Sequence, residues 1–185
     1  MSWIDVGAGY GEFVEAVAAN APDGSNIQGL EPMKPKADDA KRRGLNVREG
    51  YLSDITEKYD FLSLINVFSH IPDFHDFLKD VKKILKPDGE FFLETGNIGD
   101  LPNASDVPTE LDLPDHLIFA GEKTIAGFLT DAGFSIIEIK SRRKDTPLNS
   151  LKNIAKKALG RQVTLALPYT SPYRTLLIRA KLKAY

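Results

Sequence analysis

Residues 4–13 read Ile-Asp-Val-Gly-Ala-Gly-Tyr-Gly-Glu-Phe, and they give the strongest indication of the fold. Three glycines at alternate positions, Gly7, Gly9 and Gly11, follow directly on a short apolar run that carries one acid, Asp5. Because glycine has no Cβ, it accepts left-handed backbone angles and lets a ligand approach the main chain. In an open α/β sheet, the turn after the first strand is a usual place for a ligand. The stretch therefore predicts a strand, a ligand-binding turn and a helix.

Strand-like and helix-like segments alternate along the rest of the chain. Residues 60–66 are nearly all apolar, as expected for a strand that is buried on both faces. Residues 74–85 place their apolar side chains on one helical face, with lysine and aspartate opposite. Alternation of this kind indicates βαβ units, and so a mostly parallel sheet with helices on both faces.

The remaining elements follow from apolar patterning and from turn residues. A turn over residues 86–89 is expected to separate the helix at 74–85 from the fifth strand. Strands are predicted at residues 3–6, 26–30, 45–47, 60–66, 90–94, 134–139 and 174–182, and helices at 13–19, 35–43, 74–85, 122–132 and 148–159.

The bulk composition describes an ordinary globular chain. Its 185 residues are 42% hydrophobic and 27% charged, which suits one domain with a sizeable core. A net charge of -2 does not suggest a nucleic-acid surface. The chain has no cysteine, so disulfides and cysteine-based zinc sites are excluded. We see no signal peptide and no apolar run long enough to span a bilayer, so a soluble, cytoplasmic protein is the default expectation.

Two cofactor classes use a glycine-rich turn of this kind. The dinucleotide fingerprint is G-x-G-x-x-G/A, but here the third glycine comes one position early and Glu12 occupies the last position. An acid at the start of the helix would repel a pyrophosphate, which normally docks there. Glu31, about twenty residues after the turn, is placed where an acid can hold the hydroxyls of a ribose.

The pattern Asp5-x-Gly7-x-Gly9-x-Gly11 resembles motif I of the class I S-adenosylmethionine-dependent methyltransferases. The resemblance extends along nearly the whole chain, through residues 29–32, 59–66, 67–73 and 85–90 and the last two strands. It implies a Rossmann-like, doubly wound, mostly parallel seven-stranded sheet that ends in a C-terminal antiparallel hairpin. It also implies S-adenosyl-L-methionine as cofactor and S-adenosyl-L-homocysteine as product.

The resemblance assigns the cofactor contacts residue by residue. Asp5 and the three glycines would shape the methionine end of the pocket, and Glu31 would hold the ribose. The other expected cofactor contacts follow strands two, three and four; they are Pro32, Met33, Tyr51, Leu52, Asn66, Val67 and Phe68. For Phe68, a place in the hydrophobic core remains an equal alternative.

Methyl transfer to a hydroxyl or to an acidic carbon needs a base, and histidine is the natural one near neutral pH. The segment Pro114-Asp115-His116-Leu117-Ile118-Phe119 resembles a stretch over the acceptor site of sugar, polyketide and quinone-type methyltransferases. Our hypothesis is that His116 is the general base, with Asp115 as its orienter or as a second base. His70 is the other catalytic candidate, or else a structural histidine, and His116 could instead cap the next helix. His75 is read as a surface residue, and no metal site is suggested.

The sequence leaves several functions open. The first is methyl transfer to oxygen or carbon of a small-molecule acceptor. The second is a non-catalytic relative that binds the cofactor or a partner protein. It is motivated by the first strand at residue 3, where the usual N-terminal helices of the family are lacking. A nicotinamide-dependent oxidoreductase is disfavoured by Glu12, and a nucleic-acid methyltransferase by the lack of a base-flipping signature at residues 66–69. The acceptor and the oligomeric state are not specified.

We expect a single domain over residues 1–185, with residues 141–173 as an insertion between the last two strands. The predicted helix at 148–159 in this insertion is amphipathic and basic. Its apolar residues lie on one face, and Lys152, Lys156 and Lys157 lie outside that face. A solvated face, a lid over the acceptor and a docking surface for an anionic partner are the three interpretations that this pattern permits.

Overall fold

The computed structural model describes residues 1–103, 106–107, 115–143, 145–161, 163, 165, 167–168 and 171–183. Seven strands form one sheet in the order β3-β2-β1-β4-β5-β7-β6. The strands are β1 (Ser2–Val6), β2 (Asn26–Glu31), β3 (Val47–Glu49), β4 (Tyr59–Ile65), β5 (Leu85–Gly96), β6 (Phe134–Arg143) and β7 (Arg174–Leu182).

The strand directions confirm the predicted fold class. Strands β1 to β5 pair in parallel, whereas β7 runs antiparallel to both β5 and β6. The chain order reverses at β1, since β2 pairs on one side of it and β4 on the other. In doubly wound sheets, ligands bind beyond the carboxyl ends of the strands at such a reversal.

Four helices cover the two faces of the sheet; they are α1 (Glu12–Ala18), α2 (Lys34–Arg42), α3 (Phe74–Ile84) and α4 (Glu122–Asp131). A fifth helix, α5 (Pro147–Ala158), follows β6 and has no buried residue. Two separate apolar clusters show how the first four helices are divided. One cluster joins α1 and α2 to β2 and β3 through residues such as Val14, Ala40 and Val47. The larger cluster joins α3 and α4 to the centre of the sheet, and Leu78 and Leu129 are fully buried in it.

The start of β5 differs from the prediction. The expected turn at residues 86–89 does not stand between α3 and the strand, because β5 already begins at Leu85. The pairing with β4 jumps from Tyr59–Leu85 to Phe61–Glu90, so residues 86–89 bulge out of the ladder. Pro87 explains the bulge, since proline has no N–H to donate to a neighbouring strand.

The long connection after β5 lies partly outside the described residues. Its first turn, Ile98–Asp100, and the stretch from Asp115 to Gly121 are described, whereas residues 104–105 and 108–114 are not. Within the described part of the chain, none of the helices has the length and the apolar character that crossing a membrane requires.

Candidate functional site

The glycine turn lies at the reversal point of the sheet. Its glycines have left-handed φ angles of 73° at Gly7, 58° at Gly9 and 85° at Gly11. A Cβ added at Gly9 would meet nothing within 4 Å, so the main chain there faces open space. A Cβ at Gly7 would collide with the side chain of Val67, which follows β4. The turn is therefore tightly packed at its start and open to a ligand at its middle.

Glu31 fixes this turn from the end of β2. One carboxylate oxygen, Oε2, accepts a hydrogen bond of 2.8 Å from the Gly9 N–H, and Oε1 accepts one of 2.9 Å from the Met33 N–H. The side chain is 4% exposed. Each carboxylate oxygen has a further lone pair, so Glu31 can accept ligand hydroxyls while it holds the turn.

An apolar cavity of about 330 Å³ opens beside the turn. Five of the predicted cofactor contacts line it: Gly7, Pro32, Tyr51, Leu52 and Val67. Its other walls come from the ends of β1, β2 and β3, from the segment after β4 and from α3; they include Val6, Leu30, Gly50, Ser53, His70, Ile71, Pro72, Phe77 and Asp80. Walls of this kind suit a flat, largely apolar group such as a nucleobase.

A second cavity, of about 220 Å³, lies beyond the ends of β4 and β5. It is more polar than the first, and the predicted residues Asn66 and His116 line it. Its remaining lining residues are Ser69, Thr95, Gly96, Ile98, Ile118, Phe119, Ala120 and Tyr173. Asn66 has a φ of 57°, the one left-handed angle outside glycine among the described residues. A bent backbone of this kind at a strand end is typical of functional sites.

His70 and His116 stand between the two cavities. His70 lines the apolar cavity and His116 lines the polar one, and their ring centroids are 4.7 Å apart at an interplanar angle of 61°. The His70 Nδ1 atom is 2.7 Å from the backbone carbonyl oxygen of Asp115. Since a carbonyl oxygen can only accept, Nδ1 carries a proton, and in the neutral ring Nε2 keeps its lone pair.

Backbone hydrogen bonds hold the two histidine-bearing segments together. The Ser69 carbonyl oxygen accepts from the N–H of Leu117 at 2.7 Å and from that of Ile118 at 3.2 Å. Together with the His70 contact to Asp115, these bonds tie the segment after β4 to the segment before α4. The main chain therefore sets how close the two histidine-bearing segments lie.

Four of the remaining predicted residues lie outside both cavity linings. Gly11 packs at the start of α1, where a Cβ would meet Leu45. Phe68 is buried in the core, with its ring centroid 4.7 Å from that of Phe74, the alternative that the sequence left open. Met33 is exposed and contributes its N–H to Glu31. Asp115 is exposed, and its contact to the site is made by its carbonyl oxygen.

Asp5 also lies outside both cavity linings, as do Gly9 and Glu31 of the turn, and it is 3% exposed beneath the turn. Its Oδ1 accepts a hydrogen bond of 2.5 Å from the Ser63 hydroxyl on β4, and that hydroxyl in turn accepts from the Trp3 indole N–H at 2.9 Å. Burial raises the pKa of Asp5 from 3.8 to about 7, and the hydrogen bond from Ser63 opposes this effect. Near neutral pH the carboxyl is therefore poised between its two protonation states.

The raised pKa of Asp5 predicts a pH dependence of stability. Between pH 3.8 and about 7 the folded chain keeps a proton that the unfolded chain releases. The free energy of unfolding therefore falls as the pH rises through this window. Asp5→Asn keeps an acceptor for Ser63 and removes the titration, so urea unfolding of this variant should show a flatter profile and greater stability than wild type at pH 8. An unchanged slope in the variant would assign the pH dependence to other groups.

Tyr173, Thr95 and Gly96 are site residues that sequence reasoning missed. Thr95 and Gly96 end β5, and the rule that ligands bind beyond the carboxyl ends of strands could have found them. Tyr173 immediately precedes β7, and its ring packs over Gly96, where a Cβ would strike the phenol. Burial raises the pKa of the Tyr173 phenol, so it stays a proton donor at neutral pH. Its place in the cavity could not be read from the sequence.

Among the residues that the structure describes, no three His, Asp or Glu side chains are grouped in a way that could hold a metal ion. The chemical groups at the two cavities are thus two imidazoles and the hydroxyl and amide groups of Thr95, Tyr173 and Asn66, and the adjoining turn adds the buried carboxylate of Glu31. This set can bind a ligand with hydroxyls and a flat base, and it can take up a proton beside a second, polar ligand.

Comparisons with known proteins agree with this architecture. A family model for a methyltransferase domain matches residues 1–139. The ubiquinone biosynthesis O-methyltransferase of Actinobacillus pleuropneumoniae serotype 7 (strain AP76) is 31% identical in an alignment 108 residues long, which covers 51% of this chain and 45% of that protein. The C-methyltransferase NovU of Streptomyces niveus is 27% identical in an alignment 106 residues long, which covers 53% of this chain and 24% of that protein. The chain thus covers less than half the length of either curated relative.

A solved structure shows the same fold over nearly the whole chain. The geranyl diphosphate C-methyltransferase of Streptomyces coelicolor A3(2), in complex with Mg²⁺, geranyl diphosphate and S-adenosyl-L-homocysteine, superimposes with a TM-score of 0.68. The match covers 98% of this chain and 73% of that one, at 16% sequence identity. At this identity the similarity shows the fold alone.

Proposed function

The chain belongs to the class I S-adenosylmethionine-dependent methyltransferase family, and from that premise we propose that it transfers a methyl group from S-adenosylmethionine to a small molecule. The accepting atom is an oxygen or a carbon. The observation that carries the proposal is the meeting of the apolar and the polar cavity at His70 and His116, beside the glycine turn.

The residues at the turn fit the proposed cofactor. The open space above Gly9 gives a ligand access to the main chain, and the apolar cavity has room for an adenine between Pro32, Tyr51 and Leu52. Glu31 would hold the ribose hydroxyls. Glu12 and Glu15, the two acids in the first turn of α1, disfavour a pyrophosphate at this place but not a cofactor without phosphate. Bound there, the cofactor would supply an electrophilic methyl group on a sulfonium.

The polar cavity would hold the acceptor. Asn66, Thr95 and Tyr173 can hydrogen-bond its polar groups, while Ile98, Ile118 and Phe119 exclude water from its apolar part. Holding the accepting atom close to the methyl group and in line with it accounts for much of the rate in displacements of this kind. The bound cofactor would supply the methyl group for this displacement, and its sulfur would keep the electron pair of the carbon–sulfur bond.

The proton of the acceptor must leave in the same step. We assign its removal to His116, because this imidazole lines the acceptor cavity. His70 contacts the His116 ring, and its Nε2 is available to share or relay the proton, since Nδ1 is held by the Asp115 carbonyl. Asp115 thereby acts through its main chain. The proposed catalytic group is therefore the pair His116 and His70 together with the Asp115 carbonyl.

The proposal also covers the domain organisation, the cellular compartment and the choice between an enzyme and a binding protein. We propose that residues 1–185 act as one domain, with the insertion confined to residues 144–173 because β6 extends to Arg143. The cytoplasm remains the proposed compartment, since a chain without cysteine needs no oxidising environment to fold. The curated relatives reported above are O- and C-methyltransferases, which favours an enzyme over a non-catalytic binding protein.

The experiment is an acceptor screen with S-[methyl-³H]adenosylmethionine. Phenols, catechols and sugars with an acidic C–H beside a carbonyl would be offered, and label in the acceptor would be measured together with release of S-adenosylhomocysteine. Transfer of label in parallel with product release would support the proposal. Tight binding of S-adenosylhomocysteine with no transfer to any acceptor class would favour the non-catalytic relative.

A further inference from the structure

Helix α5 lies at the same edge of the sheet as the two cavities. Strand β6 runs parallel to β5, since both pair antiparallel to β7, so the carboxyl end of β6 is at the ligand-binding edge. Helix α5 follows that end directly. The chain then returns through Tyr173, which lines the polar cavity, into β7. Whatever α5 contacts is therefore close to the mouth of the site.

The apolar face of α5 points away from the protein. Leu148 is 71% exposed, Leu151 63%, Ile154 54% and the following Leu159 80%. Only two residues of the helix, Ser150 and Asn153, are partly buried, and both belong to the polar side. At 100° per residue, the apolar residues occupy an arc of about 140°. The helix thus contacts the body through polar residues and presents a leucine-rich stripe outward, the reverse of an ordinary surface helix.

The net charge of residues 140–161, which include α5, is opposite in sign to that of the rest of the chain. Residues 140–161 contain eight Lys and Arg and one Asp, so they carry a net charge of +7. The whole chain has 24 basic and 26 acidic residues, so the remainder, with 16 and 25, carries -9. Helix α5 has no acidic residue. Its Lys152 and Lys156 fall along one border of the apolar stripe, where long cationic side chains can extend toward a charged surface.

We propose that α5 docks on a membrane surface that contains anionic lipids, with its leucine stripe in the headgroup boundary and its lysines on the phosphates. A basic, amphipathic helix with an unpartnered apolar face is the type that lies in this interface. A second copy of the chain is a poorer occupant. Pairing two α5 helices through their stripes would bring Lys152 and Lys156 toward their own copies, and like charges across an interface are unfavourable. The acidic remainder of the chain would face away from the lipid.

The proposal predicts binding to vesicles. The full chain, at low ionic strength, is sedimented with vesicles of phosphatidylcholine containing phosphatidylglycerol, and with vesicles of phosphatidylcholine alone. We expect binding to the first and little to the second. Each lysine near an anionic surface contributes about fivefold in affinity, so Lys152→Glu/Lys156→Glu should weaken binding by roughly 25-fold or more. Leu151→Glu/Ile154→Glu should abolish it.

The matched control for charge is Lys41→Glu/Lys123→Glu, which makes the same change in net charge on the exposed surfaces of α2 and α4. This control variant should bind the anionic vesicles far more tightly than Lys152→Glu/Lys156→Glu does. Thermal unfolding establishes that each variant is folded. No binding of wild type to anionic vesicles, or equal loss in both charge variants, would overturn the proposal. So would a dimer in sedimentation equilibrium that Leu151→Glu dissociates, because a second copy would then occupy the stripe.

Discussion

Replacing His116 by asparagine should lower kcat for methyl transfer by about 10²- to 10⁴-fold, the usual contribution of a positioned base. The imidazole lines the polar cavity and contacts the His70 ring, so its removal takes away the group placed to accept the acceptor's proton. The affinity for S-adenosylhomocysteine should stay within about twofold of wild type, since the residues beside the apolar cavity are unchanged. The value of kcat is measured with the acceptor that the labelled screen identifies, and the affinity for S-adenosylhomocysteine by isothermal titration calorimetry.

The control is the same substitution at the third histidine. The His75 ring packs against Phe128, with centroids 4.9 Å apart, away from both cavity linings. His75→Asn should therefore leave kcat close to wild type. His70→Asn tests which histidine of the pair is the base, because asparagine can still donate to the Asp115 carbonyl but cannot take up a proton. Full activity in His116→Asn with complete loss in His70→Asn would move the base to His70.

Glu31→Gln should weaken the binding of S-adenosylhomocysteine by about 100-fold. The amide replaces a carboxylate that accepts from Gly9 and Met33, and its NH₂ group must then face a backbone N–H. The variant loses charge-assisted hydrogen bonds to the turn and, in the complex, to the ribose; a bond to a charged group contributes about 1.5–3 kcal/mol. Isothermal titration calorimetry of both proteins gives the ratio of dissociation constants.

Glu49→Gln is the matched control for this prediction. Glu49 ends the neighbouring strand β3, and its side chain is exposed, with Lys34 Nζ 3.9 Å from its carboxylate. Its substitution should change the dissociation constant by less than about threefold, as expected for an exposed ion pair. Unfolding of both variants without ligand shows how much Glu31→Gln destabilises the turn itself. Unchanged affinity in a folded Glu31→Gln protein would contradict the assigned role.

The central fold was predictable because its signals are local. The glycine turn and the apolar run that becomes β4 are each predicted by a pattern of about ten residues or fewer. The alternation of strands and helices then limits the possible topologies. The apolar cavity was largely predictable too. Its walls lie at the ends of consecutive strands, so residues such as Pro32 and Leu52 follow from strand boundaries.

The acceptor side was less predictable because it depends on contacts between distant segments. The hydrogen bond from His70 to the Asp115 carbonyl joins residues 45 positions apart, so no local sequence pattern predicts it. Tyr173 enters the polar cavity from the connection between the last two strands. The outward face of α5 is a further case, since helical periodicity finds an apolar stripe but not the direction in which it points.

Thermal unfolding of the wild-type chain with S-adenosylhomocysteine, and with NAD as the control, shows which cofactor the glycine turn binds. At about one hundred times its dissociation constant, a ligand adds roughly 2.7 kcal/mol to the free energy of unfolding. For a domain of this size that corresponds to a rise in Tm on the order of 5–10 °C. We predict this rise with S-adenosylhomocysteine and none with NAD. A rise in Tm with NAD alone, or no rise with either ligand, would contradict the assignment of the glycine turn to S-adenosylmethionine.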